Sequence, residues 1–270
     1  MVKVIAEIGI NHNGDIDLCK KMITAAYEAG ADYVKFQKRN PDVCVPEHQK
    51  SVLRDTPWGE MTYLEYKHRI EFGKKEYDLI DEHCKELGIP WFLSVWDMDS
   101  LEFATQYSTD LVKIASALCT DYALIEECKK RFDRVIVSTG MADLDDITKL
   151  VNVFFDKGNL ILFHTVSAYP APVNQLKLET LEHFRRLTYP TGYSSHEPGV
   201  WPAAATVLMG IKWIEKHFTT DKNLWGTDQS ASLDQSEMTE FVKAVRMMEG
   251  TMGFRTDVLP CEVPNKKKLR

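Results

Sequence analysis

One feature constrains this chain more than any other: short apolar runs alternate with helical patterns along its whole length. Eight runs, most of them rich in Val, Ile and Phe, lie at 2–10, 31–37, 90–95, 110–116, 134–139, 160–166, 191–195 and 213–219. Continuous apolar runs of this length suit strands buried on both faces of a parallel sheet. Amphipathic segments lie between them. Residues 17–29 run into Gly30, 74–87 into Gly88, and 144–156 precede Gly158, as helices that stop at a left-handed glycine do. Eight such units predict an α/β fold of the (β/α)8 TIM-barrel type, which needs about 250 residues. A doubly wound open sheet is the alternative, because periodicity does not report closure.

The chain has 270 residues, enough for one large domain or two small ones. No Gly/Ser linker or repeat divides it, so the reading is a single domain over 1–270, with 255–270 as a C-terminal tail. Residues 38–72 break the rhythm. They carry Pro41, Pro46 and Pro57 and are long for a βα connection. The expectation there is a loop with one short helix, placed over the active face.

Charge and cysteine content narrow the function classes. Lys plus Arg total 33 against 40 Asp plus Glu, a net charge of −7. That balance argues against a general nucleic-acid binder, although a local cationic cleft for a small anion stays open. No run approaches the roughly 18 apolar residues of a membrane helix, and the N-terminus does not read as a signal peptide. The six cysteines are scattered without a CxxC pair, which predicts reduced thiols in a cytoplasmic protein.

Catalytic groups of such barrels sit at the C-terminal ends of the strands, and that rule sorts the polar residues. The first run carries Glu7, then Asn11 and His12. The second carries Lys35 and Gln37, the third Ser94, and the fourth Lys113 and Ser116. The fifth ends in Ser138, and the sixth leads to Ser167 and Tyr169. The seventh gives Ser194 and His196, the eighth Glu215 and His217. Two lysines inside apolar strands are costly to bury unpaired. Each either pairs with a carboxylate such as Glu7 or Glu215, or helps bind a phosphate or carboxylate together with the neighbouring serines. A Schiff-base lysine, as in barrel aldolases, is a third reading. His196 and His217 fall on consecutive strands, close enough to share one metal ion, or they are unrelated. Asp228, beyond the eighth strand, is either a turn residue or a contact for sugar hydroxyls. His48, His68, His83 and His183 read as solvated, and His164 is ambiguous between core and site. The aromatic segments 58–66, Trp201 and Trp225 are candidates for an interface between subunits.

The segments IAEIGINHNG (5–14), AGADYVKFQ (29–37), VKIAS (112–116), STGMA (138–142), AYPAP (168–172), GYSSHEPG (192–199), EKHFT and WGTDQSASL strongly resemble the sialic acid synthase (N-acetylneuraminate synthase) family. The resemblance runs from about residue 4 to the end, in family order and spacing. It implies a (β/α)8 barrel. It also implies an enzyme that condenses phosphoenolpyruvate with an N-acylated mannosamine-type sugar, or its 6-phosphate, to a nine-carbon α-keto acid and phosphate. A divalent cation, Mn2+ or Mg2+, is implied at His196 and His217. Lys35, Lys113, Ser116, Ser138 and Ser194 match positions that bind phosphoenolpyruvate, and Ser94 one that contacts its phosphate. Glu7, Gln37, Tyr169 and Asp228 match positions around the acceptor sugar, with Glu7 placed to move a proton. A homo-oligomer is also implied.

Three departures stand out. Ser116-Ala117-Leu118 lacks the acid that many members carry there, and Ser167 stands where an asparagine is frequent. The small antifreeze-like domain that follows the barrel in many members is expected to be missing, which leaves the acceptor open. Two alternatives remain. One is a related synthase acting on an aldose phosphate. The other is a barrel that binds phosphoenolpyruvate and sugar without catalysis.

Overall fold

The computed structural model describes residues 1–155 and 158–270. Its strands, in chain order, are β1 (Lys3–Gly9), β2 (Tyr33–Lys38), β3 (Leu53–Thr56), β4 (Gly59–Thr62), β5 (Trp91–Val95), β6 (Leu111–Ile114), β7 (Arg134–Ser138), β8 (Leu160–Thr165), β9 (Thr191–Ser195) and β10 (Trp213–His217). Eight of them close into a parallel barrel in the order β1-β10-β9-β8-β7-β6-β5-β2. Closure settles the choice left by periodicity: the fold is a (β/α)8 TIM barrel, and each apolar run of the sequence supplies one of its strands.

Side chains alternate across each strand, so every strand feeds two cores. Inside the barrel, Ile5, Phe92, Leu111, Ile136, Ile161, Phe163 and Trp213 pack together, with Tyr33 against them. Outside, Val34, Val112, Val135, Leu162, Tyr193 and Ile214 join the larger core beneath the helices. The helices start at side-chain caps. Asp15 accepts from the Leu18 amide at the head of Ile16–Glu28. Asp143 and Asp146 form a capping box at the head of Leu144–Val153. The last residues of the expected 144–156 helix include Asp156, which lies outside the described residues. Gly88, with φ 75°, ends Lys74–Leu87 as expected.

Gly192 on β9 is set by close approach rather than by backbone freedom. A β-carbon there would lie 2.2 Å from the Phe163 ring, which fills the barrel's interior. Gly192→Ala is therefore expected to cost about 1–3 kcal/mol by overpacking. That corresponds to a fall in Tm of roughly 2–12 °C for a domain of this size. Thermal unfolding followed by circular dichroism measures it, and adding Phe163→Leu should recover part of the loss. An unchanged Tm in Gly192→Ala rules out the close contact.

Residues 38–72 correct the expectation of a loop with one helix. They form two one-turn helices, Pro41–Cys44 and Glu47–Lys50, then the antiparallel hairpin β3–β4, then the helix Tyr63–Ile70. A capping box, Thr62 with Glu65, starts that helix, and its buried Tyr66 and Ile70 pack on Ile10. The short strands escaped notice because their side chains are mostly exposed and carry no apolar alternation. The tail holds a further helix, Val263–Leu269, with no buried residue. All six cysteines are free, and among the described residues no helix is long and apolar enough to cross a membrane.

Candidate active site

A cavity of about 360 Å³ opens at the C-terminal ends of the barrel strands. Strand register builds its floor. Glu7 on β1 lies directly beside Lys35 on β2 and His217 on β10. Ser94 on β5 lies beside Lys113 on β6, and Ser194 on β9 beside Glu215 on β10. All of these point inward, one step above the apolar interior. The cavity is lined by every one of the thirteen residues expected at the site: Glu7, Lys35, Gln37, Ser94, Lys113, Ser116, Ser138, Ser167, Tyr169, Ser194, His196, His217 and Asp228. Arg39, Trp96 and Met141 also line it and were not among them, and Glu215 lines it as the lysine partner the sequence offered. Arg39 was within reach of the alternation, being two residues beyond Gln37 as Gln37 is beyond Lys35.

The lysines pair with carboxylates. The Lys35 ammonium is 2.5 Å from Glu7 Oε2 and 3.8 Å from Glu215 Oε2, and the Lys113 ammonium is 2.5 Å from Glu215 Oε1. Both are almost fully buried, with side chains 3% and 5% exposed. Burial pulls the Lys113 ammonium down to about 8, against the attraction of Glu215 and with the repulsion of Lys35. Burial pushes the Glu215 carboxyl up, but Lys113 and Lys35 outweigh it and hold it at about 2. Ser194 donates to Glu215 Oε1 at 3.1 Å, and Gln37 donates to Glu7 Oε1 at 2.8 Å. Paired with Glu7 and Glu215, the two ammoniums stay at the cavity wall, where each can donate to an incoming anion.

Around this charged floor stand hydroxyls that the protein leaves unsatisfied. Ser138 Oγ and Ser167 Oγ are buried without a hydrogen-bond partner. Ser116 Oγ accepts from the Gly140 amide at 3.1 Å. A β-carbon on Gly140 would fall 2.1 Å from Ser167 Oγ, so the glycine lets the hydroxyls of Ser116 and Ser167 close in on one point. Buried polar atoms are nearly always satisfied, and those left over at a cavity wall mark where a ligand's acceptors go.

His196 and His217 face each other with ring centroids 5.5 Å apart. His196 Nδ1 donates to the Val166 carbonyl at 2.8 Å, which leaves Nε2 with its lone pair. Burial, reinforced by His217, holds the His196 ring neutral with its pKa pulled down to about 3. His217 Nδ1 is buried without a hydrogen bond, 4.0 Å from Asp228 Oδ2. Two imidazole nitrogens with a carboxylate close by fit a divalent ion that also takes oxygen ligands. Among the described residues no group of three His, Cys, Asp or Glu side chains converges in full on one point.

Other expectations fall outside the cavity. His164 belongs to the core: its Nε2 bonds the Leu176 carbonyl at 2.7 Å and its ring stacks on Tyr193. His12 is buried against Phe72 and does not line the cavity. His83 is half-buried rather than solvated, bonded to Thr24 Oγ1 at 2.9 Å, whereas His48, His68 and His183 are exposed. Trp58, Tyr66 and Trp225 pack on one another within the chain, and Trp201 stands 57% exposed.

Fold and site together define a TIM-barrel enzyme with a lysine-bearing polar cavity at its C-terminal mouth. The profile of the NeuB family matches residues 22–257. The chain is 33% identical over 272 residues to N-acetylneuraminate-9-phosphate synthase of Mus musculus, covering 98% of this chain and 76% of that protein. It is 33% identical over 258 residues to N,N'-diacetyllegionaminic acid synthase of Campylobacter jejuni, covering 93% and 77%. The sialic acid synthetase of Leptospira borgpetersenii, solved with citrate, superposes with a TM-score of 0.89 at 28% identity, covering 99% of this chain and 90% of that one. The chain belongs to the NeuB family and is an enzyme of the sialic acid synthase type.

Proposed function

We propose that this enzyme joins phosphoenolpyruvate to an N-acylated mannosamine-type sugar, giving a nine-carbon α-keto acid and phosphate. The observation that carries the reading is the cavity floor: two buried ammoniums, with the unsatisfied hydroxyls of Ser138 and Ser167, in one small volume. Phosphoenolpyruvate brings a phosphate and a carboxylate, and charge-assisted bonds to two separate ammoniums can hold both ends of it. Lys35, Lys113, Ser94, Ser116, Ser138 and Ser194 take the donor. Gln37, Ser167, Tyr169 and Asp228 face the acceptor.

The enol carbon attacks the aldehyde carbon of the open-chain sugar, and the aldehyde oxygen becomes a hydroxyl. Glu7, beside His217 and hydrogen-bonded by Gln37, is placed to move the proton involved. Water then adds at the oxocarbenium-like carbon left behind. The tetrahedral centre collapses to a ketone and expels phosphate, whose charge Lys113 and Lys35 stabilise. Holding two mobile reactants in line accounts for as much as roughly 7–11 kcal/mol of the barrier. The ion that His196 and His217 would hold, Mn2+ or Mg2+, supplies electrophilic charge beside the aldehyde oxygen when bound.

The test is phosphate release from phosphoenolpyruvate with Mn2+ and a panel of 2-acetamido sugars. Release is expected only when an acceptor is present, and none with any acceptor overturns the reading. The metal assignment has its own readout. His217→Ala should weaken Mn2+ binding, measured by calorimetry, by more than the roughly 10–100-fold that loss of an outer-shell partner costs. Unchanged Mn2+ affinity removes His217 from the ligand set.

A further inference from the structure

The hydrogen-bond ladder between β9 and β10 stops one residue short of both histidines. Its last pair is Ser195 with Lys216, and His196 and His217 follow directly on their strands. Each histidine is held on the side away from the other. His217 lies beside Glu7 on β1, and the Leu233 amide donates to its carbonyl at 2.8 Å. His196 is held by the loop after β8: the Ala171 amide donates to its carbonyl at 3.1 Å, and its ring Nδ1 bonds the Val166 carbonyl at 2.8 Å. Between the two runs a side chain. The Lys216 ammonium donates to the main-chain carbonyl of Glu197, the residue after His196, at 2.7 Å.

This bridge is buried and costly. Lys216 is 2% exposed and Glu197 not at all. Alternation turns Lys216 away from the cavity, toward the layer where Val34, Val112, Val135, Leu162 and Ile214 supply apolar surface. The Tyr193 hydroxyl donates to Glu197 Oε2 at 2.9 Å, and the Tyr193 ring stacks on His164. Glu197 Oε1 is buried without a hydrogen-bond partner. Burial pulls the Lys216 ammonium down, and the attraction of Glu197, then of Glu237, opposes it. Neither Lys216 nor Glu197 lines the cavity, so contact with substrates does not account for them. Apolar residues of similar volume would serve stability as well or better. What they could not supply is a donor for the Glu197 carbonyl just past the end of the ladder.

We propose that Lys216 and Glu197 are positioning residues, whose bridge from β10 to the turn after β9 sets the spacing of His196 and His217 and prepares the pair for a divalent cation. The inference rests on the metal reading above and adds what holds the ligands in place. The two rings stand with centroids 5.5 Å apart. Because His196 Nδ1 is already bonded to Val166, the backbone on its other side decides where Nε2 points, and the bridge fixes that backbone. Ligands ordered before the ion arrives bind it more tightly, since less freedom is lost on binding.

The experiment uses wild type, Lys216→Met, Lys216→Arg and Tyr193→Phe. Calorimetry gives Mn2+ affinity and, without metal, phosphoenolpyruvate affinity, and circular dichroism reports folding. Lys216→Met should weaken Mn2+ by roughly 10–100-fold, the range for losing an outer-shell partner. Its phosphoenolpyruvate affinity should stay within about twofold, because Lys35 and Lys113 stand on β2 and β6. Lys216→Arg keeps a donor and should bind Mn2+ more tightly than Lys216→Met does. Tyr193→Phe should weaken Mn2+ by about 2- to 13-fold, one hydrogen bond's worth. Parallel loss of Mn2+ and phosphoenolpyruvate affinity overturns the proposal, because a general loosening of the barrel produces it. Unchanged Mn2+ affinity in folded Lys216→Met overturns it too, and where that variant does not fold, unchanged affinity in Tyr193→Phe does so. Wild type that binds no Mn2+, or His217→Ala that binds it undiminished, overturns the metal reading and the bridge's role together.

Discussion

Lys113→Met should lower kcat/KM for phosphoenolpyruvate by roughly 30- to 5,000-fold, the equivalent of about 2–5 kcal/mol for truncating one partner of a buried charge pair. The change removes an ammonium that would meet the donor's anionic end. It also leaves Glu215, among the described residues, with Lys35 as its one remaining ion-pair partner, at 3.8 Å. On the proposed function the loss is expected in KM for phosphoenolpyruvate as well as in kcat, because this charge would hold the donor before and after reaction. The same residue fixes a pH dependence. Its ammonium is needed charged, and its pKa is pulled down to about 8. The wild-type kcat/KM, which reports the free enzyme, should therefore be level below about pH 8. Above it, kcat/KM should fall, tending to tenfold per unit. Arginine does not titrate in this range, so Lys113→Arg, whatever its absolute rate, should lose that descending limb. A limb that persists unchanged in Lys113→Arg assigns the titration elsewhere.

Glu7→Gln should lower kcat by about 10²- to 10⁴-fold, the range for removing a positioned acid or base. The substitution keeps the shape and the ability to accept from Gln37, and it removes the charge 2.5 Å from Lys35. Two roles are thereby separable. If Glu7 moves a proton, kcat falls while phosphoenolpyruvate still binds by calorimetry. If Glu7 serves only to hold Lys35, phosphoenolpyruvate affinity falls and kcat at saturation recovers, which overturns its catalytic assignment.

The barrel was legible because its signal is physical and repeated. A strand buried on both faces is mostly apolar, and each of the eight runs matched a strand to within a few residues. The cavity lining was legible for a related reason. Inward polar residues at the ends of parallel strands have nowhere else to point, so Lys35 and Lys113 could be placed in the cavity before their partners were known. What alternation could not reveal was register. Only pairing puts Ser194 beside Glu215 and Glu7 beside His217. The 38–72 insertion was the least legible segment. Its hairpin is two exposed strands of four residues each, stabilised by turn and cap rather than by a buried face. His164 stayed ambiguous because an imidazole in a strand looks the same whether it faces the helices or the cavity.

The insertion divides the labour of the molecule in a way that bears on its descent. Most residues proposed to meet the donor, Lys35, Ser94, Lys113, Ser138 and Ser194, are strand residues, locked by register into the barrel, so a change in one costs folding as well as chemistry. Arg54 lies on an exposed hairpin and Lys67 on a half-buried face of a short helix. Substitutions at an exposed position such as Arg54 usually shift stability by no more than about 0.5 kcal/mol. On the proposed function, substitutions in the insertion can therefore vary the acceptor end at little cost in folding, while the strand residues proposed for the donor stay fixed.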